Sequence, residues 1–250
     1  MPNLIQITDT HLFGAADGRL GEVNVDRTLS QVVDSVCRHR PTPDLILATG
    51  DFVQEETPAA YARVADHLQC LPAPVICLPG NHDDCALLDT ICDGVRIARP
   101  RSHALGQWQL VLLDSTQPGD NPVGHLAEAE LAALEASLAA APDQPTLVCL
   151  HHPPLSIGSA WMDPMMVDNG NALLDRLQPH RQVRAVVFGH VHQEFDLHAH
   201  GTQFLAAPST CLQFKPRVAT AAYDTLSPGY RWFDLQDGGH MSTGIKRIQV

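Results

Sequence analysis

Six short apolar runs dominate this chain: Leu4 to Ile7, Leu45 to Ala48, Val75 to Leu78, Leu110 to Leu113, Leu147 to Leu150 and Val183 to Phe188. Each has the length of a buried strand. Between them the pattern turns helical: Val25, Leu29, Val32, Val33 and Val36 follow the i, i+4, i+7, i+8, i+11 spacing of one helix face over Val25 to His39. Thr57-Pro58 supplies an N-cap and first-turn pair for a helix to about Gln69. The Ala, Leu and Glu-rich segment Leu126 to Ala140 is helical on propensity and ends at Ala141-Pro142, with Glu128, Glu130 and Glu135 expected on its wet face. Strand and helix alternate, which is α/β order.

After His192 the pattern changes to "EFDLHAH", a turn at His200-Gly201, then "TQFLAAP", "RVATAAYD", "YRWFDL" and "STGIKRIQV". Short strands in succession predict antiparallel sheet. No linker, repeat or low-complexity tract intervenes, so residues 1–250 are expected to form a single domain of two sheets, an α/β half packed against a β-rich half.

The polar residues that matter follow the apolar runs. Asp9 and His11 follow the first, Asp51 the second, Asn81 and His82 the third, His151 and His152 the fifth, and His190 and His192 the sixth. In a mostly parallel sheet the carboxyl ends of the strands share one edge, where ligands bind in open α/β folds. Asp, His and Asn supply oxygen and imidazole donors suited to Mn, Fe or Zn, and the lack of cysteine among them argues against a closed structural zinc site. Asp9 and His11 are two apart, as are His190 and His192, so in extended backbone each pair would point to one side. Gly50, Gly80 and Gly189 each precede a donor, as close backbone approach would require. Seven donors are too many for one ion, and a carboxylate such as Asp51 can bridge two.

Charge and cysteine usage narrow the partners. A formal charge of −12 argues against a polymeric nucleic acid or an anionic membrane as partner, because either needs a basic footprint. A small anionic substrate stays open, since a metal site supplies local positive charge. The seven cysteines lie in apolar stretches and form no CxxC pair. They read as small buried hydrophobes of a reducing compartment. With no leader-like N-terminus and no apolar run of membrane-spanning length, a cytoplasmic location is expected.

"DTH" at Asp9 to His11, "GD" at Gly50-Asp51, "GNHD" at Gly80 to Asp83, "HHPP" at His151 to Pro154 and "GHVH" at Gly189 to His192 resemble, in order, the five signature blocks of the calcineurin-like metallophosphoesterases. The resemblance implies a four-layer α/β/β/α fold, a two-sheet β-sandwich flanked by helices. It implies two divalent metal ions, Fe or Mn first and Zn as a further candidate. Asp9, His11, Asp51 and His192 would hold one; Asp51, Asn81, His151 and His190 would hold the other. His82 would stay off the metals, facing the phosphate or the departing oxygen, and a hydroxide generated by the metal pair would attack phosphorus.

A narrower likeness, carried by "LIQITDTHLF", "LATGDFVQ", "LPGNHD", "GHVHQEFDL" and above all "APSTCLQFKP" (Ala207 to Pro216), is to bacterial 3′,5′-cyclic-AMP phosphodiesterases. It implies a cyclic nucleotide as the small-molecule substrate. One stretch departs from the pattern: "LGEVNVDRT" stands where a tighter "LGVNT"-like loop is expected. Further substrate-contact candidates are Asn169, Ser209, Thr210 and Trp161, whose ring could stack on a base or serve as a packing anchor. His152 is expected to brace its loop, and Asp83 to orient a histidine. Glycerophosphodiesters, 2′,3′-cyclic nucleotides and phosphomonoesters are the alternative substrates. A non-catalytic scaffold would be marked by lost donors, and none is lost. The sequence leaves the oligomeric state open, a homodimer included.

Overall fold

A computed structural model describes residues 1–119 and 121–249. The elements in chain order are β1 (Asn3–Ile7), β2 (Arg19–Leu20), β3 (Val23–Asn24), α1 (Val25–His39), β4 (Leu45–Ala48), α2 (Pro58–Gln69), β5 (Val75–Cys77), α3 (Cys85–Thr90), β6 (Ile97–Ala98), β7 (Ser102–Leu105), β8 (Trp108–Leu112), α4 (Glu128–Ala140), β9 (Thr146–Cys149), α5 (Gly170–Leu177), β10 (Val183–Phe188), β11 (Phe195–Ala199), β12 (Thr202–Ala206), β13 (Gly229–Leu235) and β14 (Met241–Arg247). They build two six-stranded sheets, ordered β14-β13-β1-β4-β5-β6 and β11-β12-β10-β9-β8-β7. Within the first, β1, β4 and β5 run parallel. Within the second, β8, β9, β10 and β12 run parallel.

Side-chain alternation explains why the central runs are apolar throughout. Leu4, Leu45, Leu47 and Ile76 of the first sheet face Leu110, Leu147, Cys149, Ala185 and Val187 of the second, making the middle of a sandwich. The alternate residues Ile5, Ile7, Ile46, Ala48, Val75 and Cys77 point outward into a layer with α1 and α2. Val148, Leu150, Val186 and Phe188 do the same toward α4 and α5. A strand buried on both faces carries no polar alternation. The layers are therefore α/β/β/α, as expected.

Several helix starts have identifiable caps. Asn24 accepts from Arg27 N–H at α1, Thr57 from Ala60 N–H at α2, and Asp84 from Leu87 N–H at α3. The divergent "LGEVNVDRT" stretch forms the turn of the β2–β3 hairpin, Leu20 opposite Val23 with Gly21 at φ 55°, and runs on into the first turn of α1. The predicted turn at His200-Gly201 joins β11 to β12 with both residues at positive φ (54° and 81°), as a tight two-residue hairpin requires.

The carboxy-terminal expectation needs correction. No separate β-rich half forms: β11 and β12 extend the second sheet, whereas β13 and β14 complete the first. The late strands do pair antiparallel, β11 with β12 and β13 with both β14 and β1, as expected, and the exception is β12 with β10, which is parallel. The stretch "RVATAAYD" is not a strand; its Tyr223 makes a single bridge to Phe214. Glu130 leaves the wet face, because Arg101 lies 2.8 Å from its carboxylate and Asp114 N–H donates to it (3.1 Å), so it is buried to 9% exposure. Among the described residues no helix is long and apolar enough to cross a membrane.

Leu47, fully buried in the middle of the sandwich, offers a test of this layering. Leu47→Ala is expected to lower the unfolding free energy by about 2 to 5 kcal/mol, read as a lower urea midpoint at an unchanged slope.

Candidate metal centre

The parallel strands of both sheets end at one place, and a polar crosslink marks it. Gln6, an inward position of β1, is fully buried and donates to Thr49 Oγ1 (3.0 Å) in its own sheet and to the Phe188 carbonyl (2.9 Å) at the end of β10. Beyond it the backbone turns sharply. Asp9, His11, Asp51, His190 and His192 all adopt positive φ, between 46° and 66°, a region that side-chain-bearing residues enter at a cost unless their surroundings enforce it. Here backbone bonds enforce it. Asp9 N–H donates to Gly50 O (3.0 Å), His11 N–H to Asp51 O (3.0 Å) and Gly189 N–H to His151 O (3.0 Å). A Cβ on Gly80 would collide with Asp51, and one on Gly189 with Thr8, so the loops close only with glycine at those positions.

These turns aim the side chains into two sets. In the first, His11 Nε2 is 3.1 Å from His192 Nε2 and 3.6 Å from Asp51 Oδ2, and His192 Nε2 is 3.5 Å from Asp9 Oδ1. In the second, His151 Nε2 is 3.3 Å from Asp51 Oδ2 and 3.3 Å from His190 Nδ1, which is 3.0 Å from Asn81 Oδ1. Donors around one ion with bonds near 2 Å stand about 3 to 3.5 Å apart, so both sets have the spacing of a coordination sphere. Asp51 Oδ2 belongs to both. Asp9, His11, Asp51 and His192 form one group whose donor atoms could hold a metal; His151 and His190, with His152, form another.

The outer hydrogen bonds fix which nitrogen carries the lone pair. His151 Nδ1 donates to the Thr49 carbonyl (2.7 Å) and His192 Nδ1 to the Leu212 carbonyl (3.0 Å), leaving Nε2 of each as the donor atom. Asp51 Oδ1 accepts from His82 N–H (2.9 Å), which turns Oδ2 toward both sets. His11 Nδ1 and His190 Nε2 are buried with no partner.

Electrostatics agree with a cation. Burial, reinforced by Asp51, pushes the Asp9 carboxyl up to about 8 against the pull of His151. Burial also lowers His11 to about 4 and His190 to about 3, keeping their imidazoles neutral. Burial acts against the Asp51 anion as well, yet His151, His11 and His82 hold its carboxyl well below the usual range. His151 is itself lowered by burial but drawn up to about 9 by Asp51. Without a cation, a proton on His151 is the compensating charge for Asp51. A divalent ion in either set would take its place.

The remaining expectations divide. Asn81 and His82 both border a cleft of about 230 Å³ with His11, Asp51, His190 and His192, and His82 lies edge-on to His11 at 4.9 Å between ring centres. Trp161 borders it too, packed edge-on against Phe214. Asn169, Ser209 and Thr210, expected to contact substrate, are not among the residues lining the cleft. Asn169 is occupied in both directions with the Leu126 backbone (3.0 and 2.7 Å). Ser209 and Thr210 are fully buried, and Ser209 Oγ donates to the Asp9 carbonyl (2.7 Å). His152 is held through Nδ1 by Ser115 Oγ (2.9 Å), while its Nε2, beside His190, is buried with no partner. Asp83 accepts from Phe52 N–H (3.0 Å) and Gly80 N–H (2.9 Å), tying two donor loops together where a histidine had been its expected partner.

The extended-backbone argument for the spaced pairs is also corrected. With both members at positive φ, His190 and His192 diverge, one into each set. Sequence reasoning missed Gln6, Ser115 and the Leu212 carbonyl. Gln6 lies within "LIQITDTHLF" and Leu212 within "APSTCLQFKP", whereas no motif signalled Ser115.

A sandwich whose strand ends gather two donor sets around a shared carboxylate is the architecture of a dinuclear metallophosphoesterase. Residues 2–194 match the calcineurin-like phosphoesterase family, and the chain belongs to that family. Among individual proteins, it is 40% identical over 245 residues to the 3′,5′-cyclic adenosine monophosphate phosphodiesterase CpdA of Pseudomonas aeruginosa, covering 98% of this chain and 89% of that one. Solved structures share the fold. A dimetal phosphatase from Danio rerio superposes with a TM-score of 0.67 at 16% identity over 99% of both chains. GAP50, the anchor in the inner membrane complex of Plasmodium, does so with 0.69 at 10% identity over 100% of this chain and 89% of that one. Fold alone therefore does not set function; the donors and the cleft must.

Ion binding at buried donors stabilises the folded state by mass action. Chelator-treated protein is expected to melt at a lower temperature than protein with excess Mn²⁺, by a margin that grows with Mn²⁺ concentration. Superimposable calorimetric scans would mean that these side chains gather no cation.

Proposed function

We propose that this chain hydrolyses 3′,5′-cyclic AMP to 5′-AMP at a dinuclear metal centre. The observation that carries the reading is the sharing of Asp51 Oδ2 between two donor sets beneath one cleft, taken with the activity named for the CpdA relative. In this reading Asp9, His11, Asp51 and His192 hold one ion, and Asp51, Asn81, His151 and His190 the other. Oxygen and imidazole donors favour Mn or Fe, with Zn also compatible. Two such ions would neutralise the phosphate oxygens and lower the pKa of bound water.

The chain's own residues do the rest. Asp51 keeps the sets together. His82 borders the cleft with its backbone anchored on Asp51 Oδ1, which leaves its imidazole free to donate to the 3′ oxygen as the ring opens. No lysine or arginine is among the described residues bordering the cleft, whose other wall is aromatic and aliphatic. Such a wall suits a singly charged diester with a bulky organic group better than a doubly charged monoester. Residues 1–250 act as one unit in this reading, because the last strands complete both sheets, and the seven free thiols suit a reducing cytoplasm.

A chelator should abolish hydrolysis of 3′,5′-cyclic AMP and Mn²⁺ or Fe²⁺ should restore it. Turnover of glycerophosphodiesters but of no cyclic nucleotide after reconstitution would sink the substrate assignment. Asp51→Ala should empty both metal positions, as read by metal analysis. His82→Ala should keep its metals and lose roughly 10² to 10⁴-fold in kcat, with a smaller loss on a p-nitrophenyl diester, whose leaving group needs no proton. An equal loss on both substrates would remove His82 from leaving-group assistance.

A further inference from the structure

A continuous run of rings leads away from the metal donors along the cleft wall. His192 lies against Phe214 at 4.7 Å between ring centres and 34° between planes. Phe214 in turn stacks on Tyr223 at 5.9 Å and 18°. Trp161 meets Phe214 edge-on at 4.9 Å and 79°, closing the side. Phe214, Tyr223 and Trp161 all border the cleft.

The backbone makes this wall rigid. Phe214 N–H donates to the His192 carbonyl (3.1 Å), so the ring is placed by the same segment that places a donor. Lys215 N–H to Ala222 O (2.9 Å) and Asp224 N–H to Gln213 O (2.8 Å) pair the two arms of the 213–224 loop and set Phe214 beside Tyr223. Arg217 N–H donates to Ser159 Oγ (2.8 Å), pinning the loop to the segment that carries Trp161.

Packing accounts for Phe214 and Trp161, both partly buried against the outer core of the second sheet. It does not account for Tyr223, which is 61% exposed, the one aromatic residue among the exposed large apolar side chains of the described residues. An exposed ring stacked on a buttressed one, a single ring beyond a metal donor, is the arrangement of a stacking surface.

We propose that the exposed face of Tyr223, backed by Phe214 and Trp161, is the platform on which the base of the nucleotide stacks. This rests on the cyclic-nucleotide reading and adds to it how the base is held. Stacking on such a platform contacts the face of a base and not its hydrogen-bonding edge. Because every base presents a π-face, the platform selects for a base and not for which purine it is.

Calorimetric titration of the Mn²⁺-loaded protein with adenosine 5′-monophosphate, guanosine 5′-monophosphate and ribose 5-phosphate tests this without turnover. Both nucleotides should bind alike, and roughly five- to hundredfold more tightly than the sugar phosphate, the range expected for one base on an aromatic ring. Tyr223→Ala should collapse that preference and Tyr223→Phe should keep it, each variant holding its metals by elemental analysis. Equal binding of nucleotide and sugar phosphate by the unaltered protein, or a preference that survives Tyr223→Ala, would overturn the platform. A preference for nucleotides that depends on Tyr223, in a protein that cleaves no cyclic nucleotide, would leave the platform standing and remove the hydrolytic reading.

Discussion

One buried carboxylate organises the site. Asp51 is 2% exposed, at the end of a central strand, with His11 on one side and His151 on the other at 3.6 and 3.3 Å. An isolated anion at that depth would be expelled by its desolvation cost. It persists because positive charge surrounds it, from imidazolium or metal. The loops carrying Asp9, Asn81, His151, His190 and His192 are arranged around that requirement. The sandwich below supplies the low dielectric that makes it strict.

Backbone strain and glycine serve the same requirement. Five donor-bearing residues hold left-handed backbone, a destabilising conformation kept because each turn is bonded to the next strand end. Asp83 contributes by joining the Phe52 and Gly80 amides. Ser209 contributes from the far side by holding the Asp9 carbonyl. The block "APSTCLQFKP" thus has two physical roles. Its buried part, Ser209 and Leu212, fixes Asp9 and the tautomer of His192, while Phe214 begins the aromatic wall.

The apolar runs and donor blocks were readable because both are local: a run shows its own burial, and a block keeps its residues adjacent. What failed was whatever depends on a distant partner. The assignment of β11 and β12 to one sheet and of β13 and β14 to the other depends on which edges remain open, and no residue in those strands encodes that alone. Glu130 looked wet because Arg101 and Asp114 are far from it in sequence. Asn169 looked available for substrate until both ends of its amide were found on Leu126. The spaced pairs reached the site by tight left-handed turns and not by extended backbone, so the expected outcome for Asp9 and His11 had the wrong cause.

The charge balance of the cleft bears on release as well as binding. The chain carries a formal charge of −12, and its cleft is bordered by no cationic side chain among the described residues. Attraction for a phosphate would then come from the metal positions, concentrated at the floor. Opening a cyclic diester turns one negative charge into two near neutral pH, and a cleft rimmed with lysine or arginine would grip that product more tightly than the substrate. A wall of apolar rings adds no such bias: it contacts the organic part of substrate and product alike and leaves the change in charge to be felt only at the metals. On the proposed reading, the aromatic wall and the lack of lysine and arginine among the described cleft residues are two aspects of one solution: they would hold a bulky monoanion without retaining its dianionic product.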